Sequence, residues 1–126
     1  MIGDIILIIG VGTDMIEIDR VLKACNKESF LLKHYTEKEI ELYHKDHKKA
    51  ADNFAAKEAV SKVFGTGFCH IAPKEIEVLR DELGKPYVKL YGKAAQYAKE
   101  IGISYIHVSI TNTKKYSSVF VVGEGV

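Results

Sequence analysis

The segment Lys49–Phe64 constrains the fold more than any other part of this sequence. Alanine and lysine recur along it beside Glu58, all strong helix formers, with no glycine or proline inside. Gly65 stands where a left-handed C-cap glycine belongs, and Thr66-Gly67 carries the chain away. At helical periodicity Ala55, Ala59 and Val63 form an apolar stripe of small side chains, which predicts close packing of this helix on a sheet. Phe54, Glu58, Ser61 and Lys62 share the neighbouring face.

The sheet is predicted from several short runs. Ile5–Ile9 is β-branched and apolar, bounded by Gly10 and Gly12, and reads as a buried strand. Met15–Cys25 has helical spacing of its apolar positions, with Arg20, Lys23 and Lys27 as a basic face. Thr36-Glu37-Lys38-Glu39 is a capping box opening a short helix through Tyr43, and His44–Lys49 is a polar, basic break. Residues 75–80 and 86–91 read as a hairpin turned by 81–85, and 94–101 as a helix ended by Gly102. Residues 105–111 and 118–122 read as strands joined around Asn112-Thr113-Lys114-Lys115. Hairpins mixed irregularly with helices predict an α+β fold, a small antiparallel sheet packed with a long helix. With no linker in 126 residues, the expectation is a single domain over 1–126.

Composition narrows the function classes. A formal charge of +1 gives no support to nucleic-acid or membrane binding. The apolar run Ile5–Val11 is too short to span a bilayer and lacks a basic flank. Cys25 and Cys69 show no metal-binding spacing, which fits two ordinary thiols in a reducing cytoplasm.

Three segments carry candidate chemistry. Gly10-Val11-Gly12-Thr13-Asp14 lacks the third glycine of a dinucleotide fingerprint, and Asp14 would repel a phosphate unless a cation lay between. It is a metal ligand or a strand-ending turn. Glu58 and Lys62, four apart, form either a solvated helix pair or part of a site. In Ile106–Thr113 the period-two alternation puts His107, Ser109 and Thr111 on one strand face and Ile106, Val108 and Ile110 on the other.

Together these segments resemble the holo-[acyl-carrier-protein] synthase family of phosphopantetheinyl transferases. The carrying residues are Gly10–Arg20 (GVGTDMIEIDR), Phe54–Gly67 (FAAKEAVSKVFGTG) and His107–Thr113 (HVSITNT). The resemblance implies transfer of 4'-phosphopantetheine from coenzyme A to a carrier-protein serine, releasing adenosine 3',5'-bisphosphate in support of fatty acid biosynthesis. Asp14 and Glu58 would hold Mg²⁺, whose preference for hard oxygen ligands suits two carboxylates plus substrate phosphates; Mn²⁺ would suit the same donors. Lys62 would reach phosphate oxygens, and Gly65, Thr66 and Gly67 would form the turn at the nucleotide. His107, with Ser109 and Thr111 on its face, would line the coenzyme site. The proton acceptor is open among His107, a carboxylate and a metal-bound water.

The resemblance further implies a cytoplasmic homotrimer with coenzyme A between subunits, so that His107 and Glu58 need not share a chain. Arg20, with Lys23 and Lys27 nearby, would dock the acidic carrier protein. One position departs from the family pattern: Asn112 replaces its second histidine, turning a charged contact into a neutral one. Two readings compete: a non-catalytic nucleotide-binding module, which Asn112 favours, and a structural trimer whose Glu58–Lys62 pair is only a surface bridge.

Overall fold

The computed structural model describes residues 5–126. In chain order the elements are β1 (Leu7–Glu17), α1 (Ile18–Ala24), α2 (Glu28–His34), α3 (Glu37–Lys45), α4 (Lys48–Phe64), β2 (Ile76–Arg80), β3 (Pro86–Leu90), α5 (Gly92–Glu100), β4 (Tyr105–Asn112) and β5 (Tyr116–Gly125). A single 3-10 turn, Pro73–Glu75, leads into β2. One antiparallel sheet has the order β1-β5-β4, and β2 and β3 form a separate hairpin. The α+β architecture with small antiparallel sheets is as the sequence predicts.

Helix α4 lies across the inner face of the three-stranded sheet. Its predicted stripe is fully seated: Ala55 and Ala59 are buried, and Val63 nearly so. Val119 and Val121 of β5 meet it from the sheet, with Ile106, Val108 and Ile110 of β4 packed alongside. A second apolar cluster holds α1 and the segment around Tyr35 against the start of α4, where the Tyr35 hydroxyl donates to the Ala50 carbonyl at 2.8 Å.

Two expectations are corrected at the N-terminal end. Gly10–Asp14 is not a turn, and no helix begins at Met15: β1 continues to Glu17 and α1 starts only at Ile18. The glycines serve packing instead. A Cβ on Gly10 would sit 2.8 Å from the Val63 carbonyl oxygen, and one on Gly12 would collide with the Ala59 carbonyl. Both positions therefore let strand backbone touch helix backbone. Gly12→Ala is expected to lower unfolding stability by about 1–3 kcal/mol or more through overpacking, read as a fall in the urea midpoint at unchanged slope.

The other correction concerns burial. Ile5, Ile6, Leu7 and Ile8, read as a buried run, are exposed, and so are Val11, Met15, Tyr116 and Phe120 on the outer sheet face. Among the described residues no element of the chain covers that face.

Candidate active site

The closeness of β1 and α4 builds the site. Two residues beyond Gly12, Asp14 projects toward the last turns of α4. There the Lys62 ammonium donates to the Thr13 carbonyl at 2.8 Å and to Asp14 Oδ1 at 3.3 Å. Lys62 thus pairs across the strand–helix seam with Asp14; the solvated i,i+4 pair with Glu58 is not what forms. The other oxygen, Asp14 Oδ2, is buried and has no hydrogen-bond partner. Glu58, one turn before Lys62, has its carboxyl pushed up from the ordinary range by burial first, then by the Asp14 charge, with Lys62 opposing.

Two carboxylates that feel each other's charge, one with a buried unsatisfied oxygen, are donors that would suit a cation. Among the described residues no three His, Cys, Asp or Glu side chains gather into a metal-holding group. A donor set of two carboxylates is what Mg²⁺ takes when waters and substrate phosphates fill the remaining positions. The residues fit that ion. Lys62 and the negative C-terminal pole of α4 also fit each other, since that pole favours a cation.

Gly65 closes α4 in the left-handed region at φ 77°, and Gly67 repeats it at φ 58°. A Cβ on either would meet nothing within 4 Å, so the backbone of this turn stands open to a ligand. Thr66 Oγ1 donates to the Gly67 carbonyl at 2.9 Å.

His107, Ser109 and Thr111 alternate as predicted, and all three lie on the outer face, opposite α4. Within one chain the sheet separates them from Asp14, Glu58 and Lys62. His107 Nε2 lies 3.0 Å from Glu124 Oε1. Arg20, Lys23 and Lys27 are exposed on and after α1. Arg20 borders a groove of about 370 Å³ whose apolar wall includes Met15, Ala24, Phe30 and Phe54.

The family model for the 4'-phosphopantetheinyl transferase superfamily matches residues 10–118, a span that holds Asp14, Glu58, Lys62 and His107. The chain belongs to that superfamily. Within it the chain falls among the holo-[acyl-carrier-protein] synthases and is an enzyme of that kind. It is 64% identical over 118 residues to the holo-[acyl-carrier-protein] synthase of Lachnoclostridium phytofermentans, covering 94% of this chain and 97% of that one. The crystal structure of the holo-ACP-synthase from Plasmodium yoelii superposes with a TM-score of 0.84 at 31% identity, covering 98% of this chain and 99% of that one. The Bacillus anthracis synthase, solved in complex with CoA (3',5'-ADP), superposes with a TM-score of 0.76 at 31% identity, covering 94% and 98%.

Asn112, expected from the sequence to depart from the family pattern, has surroundings that show what it does in this chain. Its Nδ2 donates to both oxygens of Asp52 at 3.1 Å, and the Ser117 hydroxyl donates to Asp52 Oδ1 at 2.7 Å. The amide is held inside the chain by a buried carboxylate.

Sequence reasoning missed a buried polar layer behind the site. Lys57, next to Glu58, is 1% exposed. Its ammonium donates to Glu39 Oε1 at 2.7 Å, to the Pro73 carbonyl at 2.9 Å and to the Ile76 carbonyl. Glu39 accepts in addition from the Thr36 N–H at 3.1 Å, Asn53 Nδ2 at 2.9 Å and the Val78 N–H at 3.2 Å. Burial pushes the Glu39 carboxyl up and the Lys57 ammonium down, and their mutual attraction opposes both. Three acceptors for the ammonium and four donors for the carboxylate match the charged forms of each. The available signal was the ridge Asn53, Lys57, Ser61 at four-residue spacing, flanked by alanines: all three are buried.

Proposed function

We propose that this chain transfers the 4'-phosphopantetheine group from coenzyme A to a serine of an apo acyl carrier protein, with Mg²⁺ held by Asp14 and Glu58. The serine oxygen forms a bond to the pantetheine-side phosphorus, and the bond from that phosphorus to the bridging oxygen breaks. Adenosine 3',5'-bisphosphate leaves, and the serine proton is lost. The observation that carries the reading is Asp14, paired through Oδ1 with Lys62, its Oδ2 buried and unpartnered and its charge felt by Glu58. Bound there, the ion would supply Lewis-acid neutralisation of the pyrophosphate charge. Lys62, half-exposed and already at the site, turns its ammonium from Asp14 to the phosphate oxygens, adding positive charge where the leaving group gains negative charge. The open Gly65-Thr66-Gly67 turn lets phosphate or ribose approach main chain.

His107, with Ser109 and Thr111, reaches a coenzyme at Glu58 only from a neighbouring subunit. This supports a homotrimer with coenzyme A held between chains, and the exposed apolar outer face supplies the surface for it. Asn112, engaged by Asp52, is left out of the coenzyme contacts. Arg20, Lys23 and Lys27 dock the acidic carrier protein, with the groove beside Arg20 taking an apolar side chain from it. Among the described residues no helix is long and apolar enough to cross a membrane. The chain is read as one domain over 1–126, acting in the cytoplasm in fatty acid biosynthesis, with no nucleic acid or membrane partner.

The test is mass spectrometry of apo carrier protein incubated with this chain, coenzyme A and Mg²⁺. Expected is one phosphopantetheine mass gain, absent when any component is omitted; no gain on several carriers sinks the proposal. Phe120→Asp, which places a charge in the middle of the exposed outer face, is expected to yield monomers by sedimentation and to lose coenzyme A binding. A monomer that binds coenzyme A normally would remove the intersubunit site.

A further inference from the structure

Lys62 and a divalent cation seek the same oxygen. The ammonium lies 3.3 Å from Asp14 Oδ1 and 2.8 Å from the Thr13 carbonyl oxygen, both on β1. The shorter contact parks it beside the carboxylate. Asp14 Oδ2 is buried without a hydrogen-bond partner, so Lys62 supplies the side chain's one polar contact among the described residues. The Lys62 side chain is 53% exposed and that of Asp14 17%, which makes the ammonium the part of the pair that an incoming phosphate meets. With both carboxylates ionised, Asp14, Glu58 and Lys62 carry one net negative charge between them. A divalent cation alone turns that into one net positive charge and sets two cations against each other at Asp14. The pyrophosphate diester of coenzyme A brings two negative charges and oxygens enough for both, so Lys62 can exchange one charge-assisted hydrogen bond for another.

We propose that the Asp14–Lys62 pair closes this site to a free divalent cation and opens it to the cation together with a phosphate ligand, an inference that rests on the metal and substrate assignment above. Lys62 competes with the ion in the empty chain and works beside it in the loaded one. Release of Lys62 from Asp14 is a step that both ligands need. Each therefore tightens the other by the same factor, the reciprocity that linked binding requires. A chain without coenzyme stays metal-poor, and the cation is recruited when a leaving group is present for it to neutralise.

The test follows free Mn²⁺ by electron paramagnetic resonance as the full chain is titrated in, with and without saturating coenzyme A. Mn²⁺ held by coenzyme A alone is subtracted. The unaltered chain is compared with Lys62→Met, which removes the ammonium and keeps an apolar stem. Lys62→Arg serves as the second variant, because its guanidinium keeps the charge and pairs well with a carboxylate. Expected for Lys62→Met is Mn²⁺ binding about fivefold or more tighter without coenzyme A, and a smaller gain when coenzyme A is added. Lys62→Arg should bind Mn²⁺ alone as weakly as the unaltered chain. Three results overturn the inference and leave the transferase reading standing: Mn²⁺ binding by Lys62→Met unchanged or weaker, Lys62→Arg as tight as a tightened Lys62→Met, or an unaltered chain that holds Mn²⁺ equally well with and without coenzyme A. An unaltered chain that binds no Mn²⁺ even with coenzyme A present overturns the metal assignment and the inference together.

Discussion

The Glu58→Gln variant is expected to fold, to lose divalent-metal affinity and to transfer phosphopantetheine about 10²–10⁴-fold more slowly, the rate equivalent of several kcal/mol of lost charge stabilisation. The amide keeps the shape of the carboxylate and removes the charge, so the loss isolates electrostatics from packing. Manganese binding followed by electron paramagnetic resonance gives a readout independent of turnover. The same substitution has an opposite effect on the metal-free protein. Burial and the Asp14 charge raise the Glu58 carboxyl above its unfolded value. The folded state then holds a proton more firmly than the unfolded chain, and stability falls as pH rises through the interval between the two values. Above that interval the ionised Glu58 remains a cost to the fold. Glu58→Gln is therefore expected to raise the urea midpoint of metal-free protein at neutral pH and to leave it unchanged well below the glutamate range. Mg²⁺ is expected to reverse the ranking by stabilising only the unaltered chain. Full activity in the variant would refute the role given to Glu58.

That pairing of metal-free cost and metal-bound gain was visible in the sequence only as a spacing. The long helix, its alanine stripe and its glycine stop were legible because periodicity and propensity agree there. The capping box at Thr36 was legible for the same local reason, and the structure forms it. Gly10 and Gly12 were misread because a glycine pair after an apolar run looks locally like a turn. Their actual requirement is the backbone of α4, some fifty residues away, which no local window contains. Helical spacing offered Lys62 either a solvated pair with Glu58 or a place in a site, and it pairs with Asp14 because those glycines bring β1 within reach. Glu39 was legible as a cap and illegible as an ion-pair partner, because the second role depends on tertiary contact between α3, α4 and β2. The outer-face alternation of His107, Ser109 and Thr111 was fully legible. That it faces away from the carboxylates of its own chain follows only from which side α4 packs.

Removing Lys57 is expected to be the most destabilising of the substitutions considered. In Lys57→Met the Glu39 carboxylate stays buried with its charge uncompensated, a situation that costs about 3–5 kcal/mol in other proteins. For a chain of this length the melting temperature should drop by roughly 10–20 °C, read by circular dichroism or calorimetry. The Pro73 and Ile76 carbonyls lose their donor as well, loosening the turn that walls the cleft beside Glu58. Two comparisons separate charge from packing. The double variant Lys57→Met, Glu39→Leu should recover much of the loss, since replacing both charges by apolar groups removes the stranded ion. The single variant should also be most damaged at high pH. With its cation gone, the Glu39 carboxyl rises further above its unfolded value, so the deficit fades as pH falls below that unfolded value, where both states are protonated. A deficit independent of pH, or a double variant no better than the single, would show that Lys57 acts through the volume it fills and not through its charge.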